Sequence, residues 1–181
     1  MKKSKNLKSN LKRTTSLDTN FNQCIHDLLD SQEVENMQRF PQHCDYSCFD
    51  HCLYVSYISF RLCRRLGLDS KSAARGAMLH DMFLYDWRVT SPPEGLHAFH
   101  HPRIALQKAE QIFRLNEKEV DIIAKHMWPL TLAPPKYKES FIVCLTDKYC
   151  TLNEIRHYYS QALISGGKHF ILTKKTRRMK K

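Results

Sequence analysis

Glycine and proline are scarce in this chain, five and seven in 181 residues, and no segment alternates apolar and polar residues as a half-buried strand does. That leaves room for long helices, and with no internal repeat the expected architecture is an all-α bundle. No uninterrupted apolar run approaches the roughly 20 residues that span a bilayer, so no membrane insertion is expected. The basic N-terminus is not followed by the apolar core of a signal peptide. Seven cysteines, at 24, 44, 48, 52, 63, 144 and 150, form an odd set without paired spacing, which fits a reducing, cytoplasmic setting better than a disulfide framework.

Acidic residues are missing from both ends. Residues 1–13 carry six Lys/Arg and residues 168–181 carry seven, with no acid in either stretch. Taking those 13 from the chain's 29 leaves 16 basic residues against 18 acidic ones, so the net charge of +11 belongs to the ends and not to the body. The expected organisation is a basic N-terminal tail over 1–16, a helical domain over 17–165 and a basic C-terminal tail over 166–181. Such tails attract nucleic acid or an anionic membrane. Neither contains stacking aromatics or a binding motif, which favours flexible, solvated ends.

Within the body, Phe21, Cys24, Ile25, Leu28 and Leu29 repeat with the 3.6-residue period and predict a helix from about 18 to 30. Asp30 and Glu33 have capping-box spacing for a second short helix that Pro41 stops. A strong helix is predicted from about Ser47 to Leu66, with His51, Val55, Ile58, Leu62 and Leu66 on one stripe and Gly67 as its stop. The next follows Asp69 and runs through Ala73, Ala74 and Ala77 to His80 and Asp81, placing this dipeptide at a buried helix end. Residues 85–100, with Pro92, Pro93 and Gly95, read as a loop. Pro102 then suits the first turn of a helix, with His101 in a cap-like position before it. Asn116 and Glu119 open another helix that carries Ile123 and His126 on its apolar side. A last helix spans about 137–163, in which Val143 and Cys144 precede Asp147 by four and three residues and turn its carboxylate inward.

His51, His80, Asp81, His126 and Asp147 thus fall on or beside the apolar faces of four predicted helices, and His101 adds a fifth element. One histidine on an apolar face is usually a hydrogen-bonded core residue. Two inward aspartates alter that balance, because a buried carboxylate without a cation or donors loses several kcal/mol on desolvation. Imidazole and carboxylate are the ligand set of iron, manganese and zinc, with magnesium an alternative. Such ions generate hydroxide from water near neutral pH, which makes hydrolysis the expected reaction.

The successive segments His51-CLYVSYISFRLCRRLGLD, AARGAMLHD, HPRIAL, AKHMWPL and LTDKYC resemble, in order and spacing, the motifs of the HD superfamily of metal-dependent phosphohydrolases over roughly residues 47–155. The resemblance implies an HD-type helical bundle with the metal site in its core. It implies one divalent ion held by His51, His80, Asp81 and Asp147, and a second held by His101 and His126 with Asp81 as the bridge. The implied activity is metal-activated hydrolysis of a phosphate ester bond, with a nucleotide as small-molecule substrate and a phosphomonoester, phosphodiester or phosphoanhydride as the bond cleaved. The family's HDIGK continuation is HDMFL here, so its phosphate-contacting lysine is absent. Adjacent histidines of several branches are replaced by His126-Met127, and the GYP-type signature of cyclic di-GMP phosphodiesterases is missing.

Catalytic candidates beyond Asp81 follow from position. Lys148, directly after Asp147, is a candidate phosphate contact, against the plainer reading of a solvated helix cation. His97, with His100 as the neighbouring choice, is a candidate proton donor to the leaving group. His43 is a candidate for the pocket entrance, Arg75 for bracing a helix, and Trp87 with Arg88 for stacking a base and replacing the missing lysine. Two competing readings exist. One is a cysteine-ligated cluster at Cys44, Cys48 and Cys52, against which the four-residue steps speak. The other is a non-catalytic, metal-stabilised helical module that binds nucleic acid through its basic tails.

Overall fold

The computed structural model describes residues 19–89 and 96–178, with side chains described as far as residue 160. The expected tail over 1–16 and the loop residues Pro92, Pro93 and Gly95 lie outside the described residues. Seven α-helices and one turn of 3-10 helix follow one another, and no strand occurs among the described residues. The all-α expectation holds.

Helix α1 (Thr19–Leu29) buries Phe21, Ile25 and Leu28. Phe21 meets Tyr57 and Phe60 edge-on, at 5.2 and 5.4 Å between ring centres. Helix α2 (Gln32–Asn36) is capped by Ser31, whose hydroxyl accepts from Glu33 N, and leads into the 3-10 turn Met37–Arg39. Asp30, the expected cap, instead pairs with His26 at 3.0 Å. The cap moved one residue because either side chain can accept from the first turn.

Helix α3 (Cys48–Arg65) begins where Ser47 accepts from Asp50 N, and the chain turns away at Gly67 with φ +66°. Its buried face is not the expected aliphatic stripe. His51 and Val55 are buried, but Leu62 and Leu66 are 42% and 62% exposed. Ser56, Ser59, Phe60 and Cys63 take the inward positions. Phe60 faces Phe21 of α1, whereas toward α4 (Ser70–Leu79) small side chains win because that helix lies close. Ser56 Oγ donates to Ala74 O at 2.7 Å, and Ala73, Ala74 and Ala77 are buried. On the other side of α4, a Cβ on Gly76 would lie 2.8–2.9 Å from three atoms of Ile122.

Helix α5 (His97–Ile112) starts four residues before the expected cap at His101. His101 Nδ1 faces His97 O at 3.0 Å, which fastens the first turn, and Pro102 is the sixth helical residue. The missing N–H of Pro102 removes one helical hydrogen bond, a loss this helix tolerates near its start. Helix α6 (Glu117–Lys125) has the expected capping box of Asn116 and Glu119. Helix α7 (Lys138–Arg178) continues 15 residues past the expected end at 163, so the backbone of the C-terminal basic run is helical to Arg178.

Two apolar clusters hold these helices together. One joins α1, α3, α4 and α5 around Phe21, Phe60, Met78 and Ala105. The other joins α3, α4, α6 and α7 around Val55, Ala77, Ile122 and Val143. Arg75 braces the bundle as expected, pairing with Asp27 of α1 and donating from Nε to Glu119 Oε1 at 2.9 Å.

Candidate metal centre

Five helices deliver polar groups to one place. His51 sits on the first turn of α3, His80 caps α4 with Asp81 after it, His101 lies on α5, His126 follows α6 and Asp147 faces inward from α7. All six side chains are buried. The structure brings together every residue named for metal binding from the sequence. His51 Nε2 lies 3.0 Å from Asp147 Oδ1, and His80 Nε2 lies 3.3 Å from Asp81 Oδ2 and 3.6 Å from Asp147 Oδ1. On the other side, His101 and His126 place Nε2 at 3.2 and 3.5 Å from Asp81 Oδ1 and 2.8 Å from each other. Asp81 stands between the two halves.

The far nitrogens decide the tautomers. His80 Nδ1 meets Ala77 O at 2.7 Å, His101 Nδ1 meets His97 O at 3.0 Å and His126 Nδ1 meets Ile123 O at 2.9 Å. A carbonyl only accepts, so each Nδ1 carries the proton and each neutral ring turns an Nε2 lone pair toward the carboxylates. His51 follows the same rule through a carboxylate, with Nδ1 3.0 and 3.1 Å from the two oxygens of Glu154. Four lone pairs and two carboxylates facing one another require a cation or extra protons. His80 Nε2 and Asp81 Oδ1 are buried and make no hydrogen bond. This donor set fits a divalent metal, with histidine rings oriented from behind as metal-binding histidines are.

With protons as the only cations, burial opposes charge on these groups, yet their mutual contacts prevail. Hydrogen bonds to Asp147 and Glu154 raise His51 to about 10, and Asp81 and Asp147 hold His80 well above its ordinary value. Against their burial, His80 with His101 and His126 holds Asp81, and His51 with His80 holds Asp147, well below the carboxylate range. Burial pushes His126 down.

Among the described residues, three groups have donor atoms close enough to share one ion, all within 4.8 Å: His51, His80 and Asp81; Asp81, His101 and His126; and His43, His51 and Glu154. Glu154 and Gln42 escaped the sequence reading. Glu154 is 3% exposed and lies seven residues after Asp147, two turns along the same helix face, and that spacing was the available signal. Gln42, whose amide donates to Asp81 Oδ2, lies between helices where no periodicity marks it. His43, named for the entrance, packs against His51 at 5.3 Å between ring centres.

The other candidates are used differently from expectation. Lys148 Nζ donates to His126 O at 2.8 Å and Cys144 O at 3.2 Å, so it braces the backbone beneath a centre residue. His97 accepts from the Tyr85 hydroxyl at 2.8 Å, given a neutral ring that carries its proton on Nε2. Burial first, then the charge of His101, pushes it down to about 4. A neutral ring at neutral pH is not the expected proton donor. Trp87 stacks on His97 at 5.3 Å and 18°, and His97 stacks on His101 at 4.6 Å and 15°. Arg88 is turned back onto Asp86. Cys48 donates to Asp81 O at 3.0 Å and Cys52 lies 3.7 Å from His80 Nδ1. Among the described residues no cysteine joins a group able to share an ion, which counters the cluster reading.

The family model of the HD domain matches residues 48–152, more than half of the chain and a span that contains the six convergent residues. No curated protein and no solved structure matches the chain.

Proposed function

Since the chain belongs to the HD-domain family, whose members are metal-dependent phosphohydrolases, we propose that it hydrolyses a phosphate ester or anhydride bond of a nucleotide. The observation that carries this reading is the convergence of four Nε2 lone pairs on Asp81 and Asp147. His51, His80, Asp81 and Asp147 would hold one divalent ion, and His101 with His126 a second that shares Asp81. What such ions supply is a lower pKa for water and charge to offset the phosphoryl oxygens.

The protein's own groups do the rest. The Ala77, His97 and Ile123 carbonyls and the Glu154 carboxylate fix the rings, so the donor atoms need no reorganisation on binding. Lys148 holds the His126 backbone in place. A nucleotide is favoured over a bare phosphate ester by the ring column that runs from His101 through His97 to half-buried Trp87, because aromatic rings beside the centre suit a base.

The test is a hydrolysis screen of mono-, di- and cyclic nucleotides beside p-nitrophenyl phosphate, with the manganese-, iron- and zinc-loaded protein and its Asp81→Ala variant. The reading predicts phosphate or nucleotide release that the variant loses, with nucleotides preferred. Equal turnover by Asp81→Ala would contradict it. No turnover, with a salt-sensitive RNA shift, would favour the non-catalytic module.

A further inference from the structure

Helix α7 has two opposite faces. The inner one carries Val143, Asp147, Cys150 and Glu154 against the bundle. The outer one carries Phe141, Leu145, Tyr149, Leu152 and Tyr159, which are 38, 62, 56, 66 and 62% exposed. At 100° per residue these five fall within one quadrant of the helix and form a stripe about 27 Å long. Trp128 extends it, its ring 5.6 Å from that of Phe141. Scattered exposed leucines mean nothing, but a stripe of this length, interrupted only by Arg156, marks a surface built to be covered.

The charges around it say by what. From His126 to the C-terminus the chain has three acids, Glu139, Asp147 and Glu154, and all three are buried at 4, 8 and 3% exposure. Lys138 and Arg156 are exposed in the same quadrant as the stripe, and Lys136 is exposed just before it. After Glu154 the sequence has eight Lys/Arg and no acid. Glu117 of α6 reaches Tyr137 and offsets Lys136 at the start of the stripe, but within the described part of α7 the outer quadrant itself is apolar and cationic, with no acid on it.

We propose that this face seats the protein on an anionic lipid bilayer, independently of the reaction at the metal centre. Leucine and aromatic side chains enter the boundary between headgroups and acyl chains while the flanking cations meet anionic headgroups. A second copy would bring the same cations face to face. The basic segment before residue 19 is repelled for the same reason. Nucleic acid would satisfy the charge but gives Leu145 and Leu152 nothing to enter. No helix among the described residues is long and apolar enough to cross a membrane, so the attachment is to the surface.

Co-sedimentation of the full chain with vesicles tests this, using equal parts phosphatidylcholine and phosphatidylglycerol against phosphatidylcholine alone. Binding to the anionic vesicles is expected, weakening as salt rises. The double variant Leu145→Ser, Leu152→Ser leaves every charge in place and should weaken binding at least about tenfold. Lys138→Glu with Arg156→Glu should weaken it similarly and serves if the serine variant does not fold, each about fivefold per cation. Absence of binding, or equal binding by the folded serine variant, overturns the proposal. So does a dimer in light scattering that the serine variant converts to monomer, or RNA binding that the serine variant loses.

Discussion

His51 carries the plainest residue-scale lesson, since each of its nitrogens faces a carboxylate from the same helix, Asp147 on Nε2 and Glu154 on Nδ1. Asp147 can share an ion, whereas Glu154 orients the ring and raises its basicity from behind. Glu154→Gln keeps an acceptor for Nδ1–H but removes the charge. The expected outcome is metal affinity lowered about tenfold to hundredfold with the helical circular dichroism unchanged, as read by competition against a chromogenic chelator. Unchanged affinity would mean that Glu154 only fills space.

Elements place these residues, and the close approach of α4 to α6 shows how. Gly76 lets Ile122 come within contact of the α4 backbone, which helps bring the end of α4, with His80 and Asp81, beside His126. Gly76→Ala should cost about 1–3 kcal/mol through overpacking, read as a lower midpoint in urea. Ile122→Val in the same chain should recover part of it. Much at this scale was legible in the sequence. Ser47, Asp69 and Asn116 cap α3, α4 and α6 as their side chains dictate. The six convergent residues stood out because polar groups on apolar faces are rare. What periodicity missed has physical causes. The inner face of α3 is set by how closely the α4 alanines approach, so serines displaced Leu62 and Leu66. His97 extends α5 through a backbone contact with His101 that no spacing rule contains. Gln42 reaches Asp81 from a segment without a period.

For the whole molecule, the cluster ties stability to pH and to metal. Without metal, His51 is raised to about 10 in the folded protein from an ordinary 6.5. Its contribution is fully present below 6.5 and is lost as pH rises toward 10, because the folded state then gives up a proton that the unfolded state has already lost. Asp81 and Asp147 are lowered, so their contribution is present above the ordinary carboxylate range and is lost as pH falls through their depressed folded values. Thermal unfolding of chelator-treated protein should show a midpoint that declines from pH 6.5 to pH 9. Adding manganese should raise the midpoint most at the alkaline end, since metal replaces protons on the histidines. A flat profile without metal would remove the proton-for-metal exchange from the account.

The most direct test of the centre is calorimetric titration of manganese or zinc into chelator-stripped protein at neutral pH, repeated in buffers of different ionisation enthalpy. The convergent donor set predicts saturable binding, and the upward shifts of His51 and His80 predict that protons leave these rings as metal enters. Asp81→Ala should lose at least about a hundredfold in affinity, since a direct ligand costs no less than an orienting group behind it. No saturable binding, or equal binding by the folded Asp81→Ala protein, would contradict a metal centre built on Asp81.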